Sequence, residues 1–261
     1  NLRWNRIFSP KVFGNLSLLY SNYYYGLALD FVGFDWDSGI QNFNVKYDLS
    51  YNISEKITLE TGVQATYYSF NPGYIQPLTA TSGFNTEQLQ NKFAAEGSVY
   101  LSAKHDIAPK LALHYGLRIN QFNRLAQSGL LEYANNQPLT YNPSLGIYQQ
   151  GTALGFYSKA ESKQHYTNLE PRFTLAYRQE RSAWKASYQR VNQYLHLISN
   201  TTSPTPLDVW TPSGRYLKPQ QSDQWALGYV TERENGNSLE AEVFYKHTDN
   251  RYDYIDGAEL V

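Results

Sequence analysis

The sequence predicts an all-β fold, an antiparallel up-and-down transmembrane β-barrel segment of about ten strands. Three observations predict it. Apolar and polar residues alternate with period two through most of the chain. The connections alternate short, long, short, long, which puts tight turns on one rim and every long loop on the other. Aromatic residues gather toward both strand ends, while full charges sit at mid-strand on the opposite face.

The stretch Leu169 to Tyr229 sets the pattern. Leu169, Pro171, Phe173, Leu175 and Tyr177 share one face of an extended segment, and Glu170, Arg172, Thr174 and Arg178 share the other. A polar turn follows, and Trp184, Ala186 and Tyr188 resume the apolar face against Lys185, Ser187 and Gln189. A connection rich in Pro, Ser and Thr then leads to Trp225, Leu227 and Tyr229.

Taken in order, Leu2 and Trp4 open a first strand. A second runs to about Phe31, its apolar set changing phase between Tyr20 and Tyr25, which reads as a β-bulge. A loop holding Phe34 to Asp37 follows. Phe43 to Tyr51 and Ile57 to Tyr67 are clean alternations, then a long loop spans Asn71 to Asn91. Phe93 to Ala103 and Leu111 to Ile119 precede a longer connection over 123–164. After Tyr229, Asn235-Gly236 signals a hairpin into Leu239 to Tyr245.

Bulk composition agrees with this reading. The 261 residues carry a net charge of -1, which gives no electrostatic case for nucleic acid. Aromatics are 16% and Tyr alone supplies 24 residues, as interfacial belts require. Mean hydropathy is -0.56 and no run approaches the roughly 18 apolar residues of a membrane helix. A spanning strand needs only about ten residues, every second one apolar. Cys is absent, so thiol and disulfide chemistry are excluded.

Alternation alone does not separate a membrane barrel from a soluble sandwich, because the sense of the two faces is simply inverted. The loop asymmetry favours the barrel, with short turns periplasmic and long loops extracellular. The belts do too: Tyr51, Tyr177, Trp184 and Tyr229 near one rim, Phe43, Tyr67, Phe93, Phe122 and Trp225 near the other. So do Asp48, Glu60, Glu96, Arg118, Arg172 and Glu242 on the polar face, which lipid would penalise and a wet lumen would not.

Asp208, Trp210, Pro212, Ser213, Pro219, Gln220 and the run Trp225 to Tyr229, with Leu169 to Phe173 and Val243 to Lys246, resemble the barrel of TonB-dependent outer-membrane receptors of the Bacteroidetes type. The resemblance extends to Pro204 and Pro206. It implies a bacterial outer-membrane protein importing a large nutrient such as a glycan, peptide or chelate. It also implies a larger barrel filled by a plug and driven through TonB. Residues 1–261 would then be part of that barrel, an internal fragment, with the plug, the remaining strands and the TonB-contacting region outside this sequence. Implied partners are outer-membrane lipid, the rest of the barrel and plug, and the TonB complex. A surface lipoprotein and barrel-assembly or secretion machinery are further partners the reading admits. A plugless porin or adhesin-type barrel and a soluble carbohydrate-binding β-protein are the alternatives.

No ordered triad or nucleophile elbow is present, so an enzyme is not expected. The five His residues lack metal-ligand spacing, and neither Asp35-Trp36-Asp37 nor Asp249, Asp253 and Asp256 completes a calcium loop. No metal or cofactor is expected. The candidate ligand-binding residues are the loop aromatics Trp36, Tyr74, Tyr141, Tyr148, Trp210 and Tyr216. Arg118, Arg172 and Lys185 are candidates for the lumen wall, against the plainer role of inward salt bridging with Glu96, Glu170 and Glu242.

Overall fold

A computed structural model describes residues 1–30, 33–79, 83, 85–199, 208–233 and 236–252. Phe31, Pro204, Pro206, Asn235, Asp253 and Asp256 lie outside them.

Ten strands follow one antiparallel path in which each pairs with the next: β1 (Leu2–Ser9), β2 (Val12–Leu29), β3 (Phe34–Ser54), β4 (Ile57–Pro77), β5 (Lys92–Ala108), β6 (Leu111–Arg124), β7 (Gln164–Arg178), β8 (Ser182–Gln193), β9 (Gln220–Glu232) and β10 (Ser238–Asp249). β1 and β10 lie at the two ends of the order. Registers are long and mostly unbroken; β6 and β7 pair from Leu111↔Tyr177 to Arg124↔Gln164 without a shift.

Three expectations about the first half are corrected. β2 and β3 pair continuously from Val12↔Tyr51 to Leu29↔Phe34, so there is no bulge between Tyr20 and Tyr25. Phe34 to Asp37 is strand rather than loop, and β4 continues through Asn71 to Pro77. Length explains all three. β3 and β4 have 21 residues each, roughly 70 Å at ~3.3 Å per residue, far more than the ~30 Å hydrocarbon layer needs even with a 45° tilt. These strands leave the bilayer at the long-loop rim and continue as a tall curtain. Below that level Leu16, Leu18 and Tyr20 face outward. Above it nothing apolar is needed outside, and the inward Tyr25 becomes useful instead. The change of phase marks the exit from lipid.

The two faces are as alternation requires. Lys46, Glu60, Ser102, His114, Arg118, Arg172, Thr174 and Lys185, drawn from six strands, line one common concavity. Val63, Val99, Ile119, Leu169, Phe173 and Leu227, of the opposite phase, are exposed and absent from that lining. In water such a surface would be a liability; in a bilayer it is the lipid-facing band. Among the described residues no helix is long and apolar enough to cross a membrane.

Outward aromatics form both belts. Near the short turns Trp184 packs on Tyr229 at 4.5 Å between centroids. Near the other rim Tyr67 stacks with Phe93, and Trp225 lies between Tyr188 and Tyr245. On β3, Phe43 and Tyr51 are eight residues apart, about 26 Å, close to a barrel's apolar band. On β9 the band is shorter. Just past Trp225, Asp223 accepts two hydrogen bonds from Arg190, at 2.8 and 2.9 Å, and one from Tyr188. Phe122 is the exception among the expected belt residues. It faces inward and is fully buried, in a cluster with Ile40, Phe70, Ala94 and Tyr194.

Candidate functional site

The polar wall of the bore is tied together by contacts both along and between strands. Lys46 pairs with Asp48 at 3.0 Å and Lys104 with Glu60 at 2.6 Å. Tyr100 of β5 reaches across β4 to donate to Asp48 of β3. Gly62 lies beneath that ring, and a Cβ there would come within 2.7 Å of it. Arg118 donates to Asn120 Oδ1 at 2.8 Å and to Gln64 Oε1 at 3.2 Å, both neutral partners, rather than to Glu96. Arg172 lies 3.9 Å from Glu170, whose Oε1 accepts from the Asn192 backbone N–H at 2.8 Å. Lys185 lines the same concavity and is exposed. Inward salt bridging therefore holds only loosely for Arg172, and Arg118 is tied by amides instead.

Above this wall the mouth is narrowed by a structure the sequence did not suggest. Within the connection between β8 and β9, Leu195–Ile198 and Val209–Pro212 pair as a short hairpin. It folds inward, because four strands hold it. Tyr25 of β2 donates to the Asp208 carbonyl at 2.5 Å, and Lys92 of β5 to Thr211 Oγ1 at 3.2 Å. Arg124 of β6 donates to the Pro212 carbonyl at 3.1 Å, and Tyr166 of β7 to the Gly214 carbonyl at 2.7 Å. Beneath it lies the Phe122–Tyr194 stack, against whose cluster the hairpin's own Leu195 and Trp210 pack. His196 is buried, with Nε2 2.8 Å from Ser213 Oγ, and burial pushes its pKa down to about 4.

The six candidate aromatics occupy three places. Trp36 and Tyr74 belong to the curtain. Trp36 is buried over Gly73, where a Cβ would collide with its ring, and Tyr74 accepts from Gln76 through its hydroxyl. Trp210 and Tyr216 belong to the inward hairpin and its tail. Tyr216 donates to the Leu131 carbonyl at 3.0 Å and meets Tyr133 edge-on. Tyr141 and Tyr148 are register partners on a separate hairpin, Leu139–Asn142 with Ile147–Gln150; their rings are 5.2 Å apart and well exposed. The six do not converge on one site. Only Tyr141 and Tyr148 offer open faces for stacking.

Lys92, Arg124 and Arg215 gather under the hairpin and were not candidates from sequence. The signal was present: Lys92 and Arg124 are inward-phase cations at the same end of adjacent strands.

Among the described residues no group of acidic, His or Cys side chains could hold a metal ion.

Comparison with known proteins bears on this architecture. No curated protein matches the chain. Solved structures do. The closed form of the ferric-catecholate import receptor Fiu from E. coli K12 superposes with a TM-score of 0.61 at 12% identity, covering 98% of this chain and 41% of that one. The copper transporter OprC gives 0.55 at 9% identity, over 89% of this chain and 36% of that one. The chain thus spans about two-fifths of the length of the structures it resembles. At such identities the likeness is one of fold, and it agrees with the expected resemblance to TonB-dependent receptors. A model of the outer membrane protein beta-barrel family matches residues 17–258. A soluble carbohydrate-binding protein is thereby overturned: the chain belongs to the outer membrane protein beta-barrel family, and its place is the bacterial outer membrane.

Proposed function

We propose that this chain forms wall and mouth of a TonB-dependent transporter that takes up a large nutrient, a glycan, peptide or chelate, across the outer membrane. One observation carries the reading. The bore is walled by charged and amide side chains and is narrowed at the long-loop rim by a hairpin anchored on four strands. A charged, wettable path with a tethered constriction suits selective passage of a polar solute. The likeness to an import receptor and to a transporter supports the same reading.

In this reading sequence outside residues 1–261 supplies the remaining strands, the plug and the segment that engages the TonB complex. Tyr141 and Tyr148 make first contact from their exposed hairpin, with or without a surface lipoprotein as partner. Trp210 and Tyr216 hold the constriction, and Arg118, Arg172 and Lys185 face the moving solute or the plug. Remodelling of the plug opens the path. The geometry calls for no covalent step, and none is assigned.

Two measurements on the full-length protein test this. In planar bilayers a plugged transporter conducts little until its plug is removed, whereas a plugless porin conducts at once. In cells, uptake of the solute should stop when the proton gradient is collapsed. Steady open-channel conductance, or uptake indifferent to the gradient, would replace the transporter with the porin.

A further inference from the structure

We propose that the pocket beneath the inward hairpin binds one anionic oxygen group, phosphate- or carboxylate-sized, through Lys92, Arg124 and Arg215. The pocket measures about 160 Å³ and has no Asp or Glu among its lining residues. Three cations thus face a common space into which no carboxylate among the described residues projects.

Among the described residues none of the three makes a salt bridge. Lys92 donates to a hydroxyl, Thr211 Oγ1. Arg124 is only 7% exposed, yet it donates to the Pro212 carbonyl and the Gln127 side-chain oxygen, both neutral. Arg215 lies 4.2 Å over the Tyr157 ring and reaches the Glu161 carbonyl at 3.4 Å. Its Nε is buried with no hydrogen-bond partner. The Glu161 carboxylate feels the charge of Arg215 but accepts its hydrogen bonds from the Ser158 N–H and hydroxyl, in an exposed position outside the pocket lining.

Removing cations from water without a counter-charge is costly, and an oxyanion would repay that cost through charge-assisted hydrogen bonds. Guanidinium forks suit the planar or tetrahedral oxygens of a carboxylate or phosphate. The volume sets the scale: at about 30 Å³ per water it holds roughly five waters. One terminal oxyanion fits; a whole glycan or chelate does not. Lys92 and Arg124 share the inward phase of Ala94 and Phe122, so the pocket opens to the bore and not to the lipid headgroups. The pocket would read one charged terminus of a larger solute. Only that last statement rests on the transport reading; anion binding itself does not.

The test is calorimetric titration of the detergent-purified, full-length protein with inorganic phosphate and, separately, with acetate, at constant ionic strength in chloride. At least one should bind saturably at one site per chain. Lys92→Gln and Arg124→Gln should each weaken it tenfold or more, and Lys56→Gln, at the opposite rim, should leave it unchanged. Heat-modifiable gel mobility reports whether each variant is folded, and Arg215→Gln, in the loop, serves if a strand variant fails to assemble. No saturable binding of either anion, or equal binding by the folded variants, overturns the proposal. Anion binding retained by a protein that does not transport would sink the transport reading alone.

Discussion

Phe122 and Tyr194 stack face to face, their centroids 4.7 Å apart and their planes 3° from parallel. One is the inward residue near the end of β6, and the other begins the connection out of β8. The stack is where the wall of the bore meets the hairpin that narrows it. Tyr194 also donates to Asn168 Oδ1 at 3.0 Å, and its carbonyl accepts from the Ser213 N–H at 2.7 Å. Truncating a buried aromatic costs about 3–5 kcal/mol. Phe122→Ala should therefore free the hairpin without dissolving the barrel. Limited proteolysis should cut within residues 195–217 faster, while heat-modifiable gel mobility stays as in the parent.

Adjacent residues on opposite faces give a direct test of the membrane reading. Phe173 is outward and exposed, and Thr174 lines the bore. Phe173→Arg should cost about 2–4 kcal/mol in lipid, and Thr174→Arg much less. Equilibrium unfolding of the full-length protein in bilayers, one variant beside the other, measures the difference. Equal costs would contradict the assignment of faces.

Gly62 is required by a neighbour rather than by its own backbone. A side chain there would meet the Tyr100 ring and the Tyr47 carbonyl, each at 2.7 Å, and would lift Tyr100 from Asp48. Gly62→Val should cost about 1–3 kcal/mol as an overpacked contact. Gly97→Ala, where an added Cβ meets nothing within 4 Å, is the matched control and should be close to neutral.

His196 makes the hairpin sensitive to acid. When the hairpin is open, its imidazole takes a proton near 6.5; folded, it resists protonation down to about 4. The open state binds the extra proton in between, so stability is complete above about 6.5 and is lost as the pH falls toward 4. The loss is on the order of 2 kcal/mol. The hydrogen-exchange protection of residues 195–198, each rate divided by the intrinsic rate at the same pH, should fall over that window. The fall should be absent in His196→Asn, whose protection at acid pH is compared with its own protection at neutral pH.

Much of this was legible in one dimension. The period of two, read through Phe43 to Tyr51 and Leu169 to Tyr177, placed the lipid-facing and bore-facing residues correctly. It did so because a strand alternates whatever surrounds it. The change of phase at Tyr20–Tyr25 was visible but misread, because sequence does not show at what height a strand leaves lipid. Phe122 was misplaced through its residue type, although its even position already matched Arg118 and Asn120.

The sequence by itself determined the strands, their two faces and the alternation of turns and loops, because these follow from local periodicity and chain reversal. Only the tertiary structure decided that residues 195–198 and 208–214 turn inward onto Tyr25, Lys92, Arg124 and Tyr166. Those contacts join segments up to 183 residues apart, and no local pattern encodes a pairing that exists only once the sheet has curved.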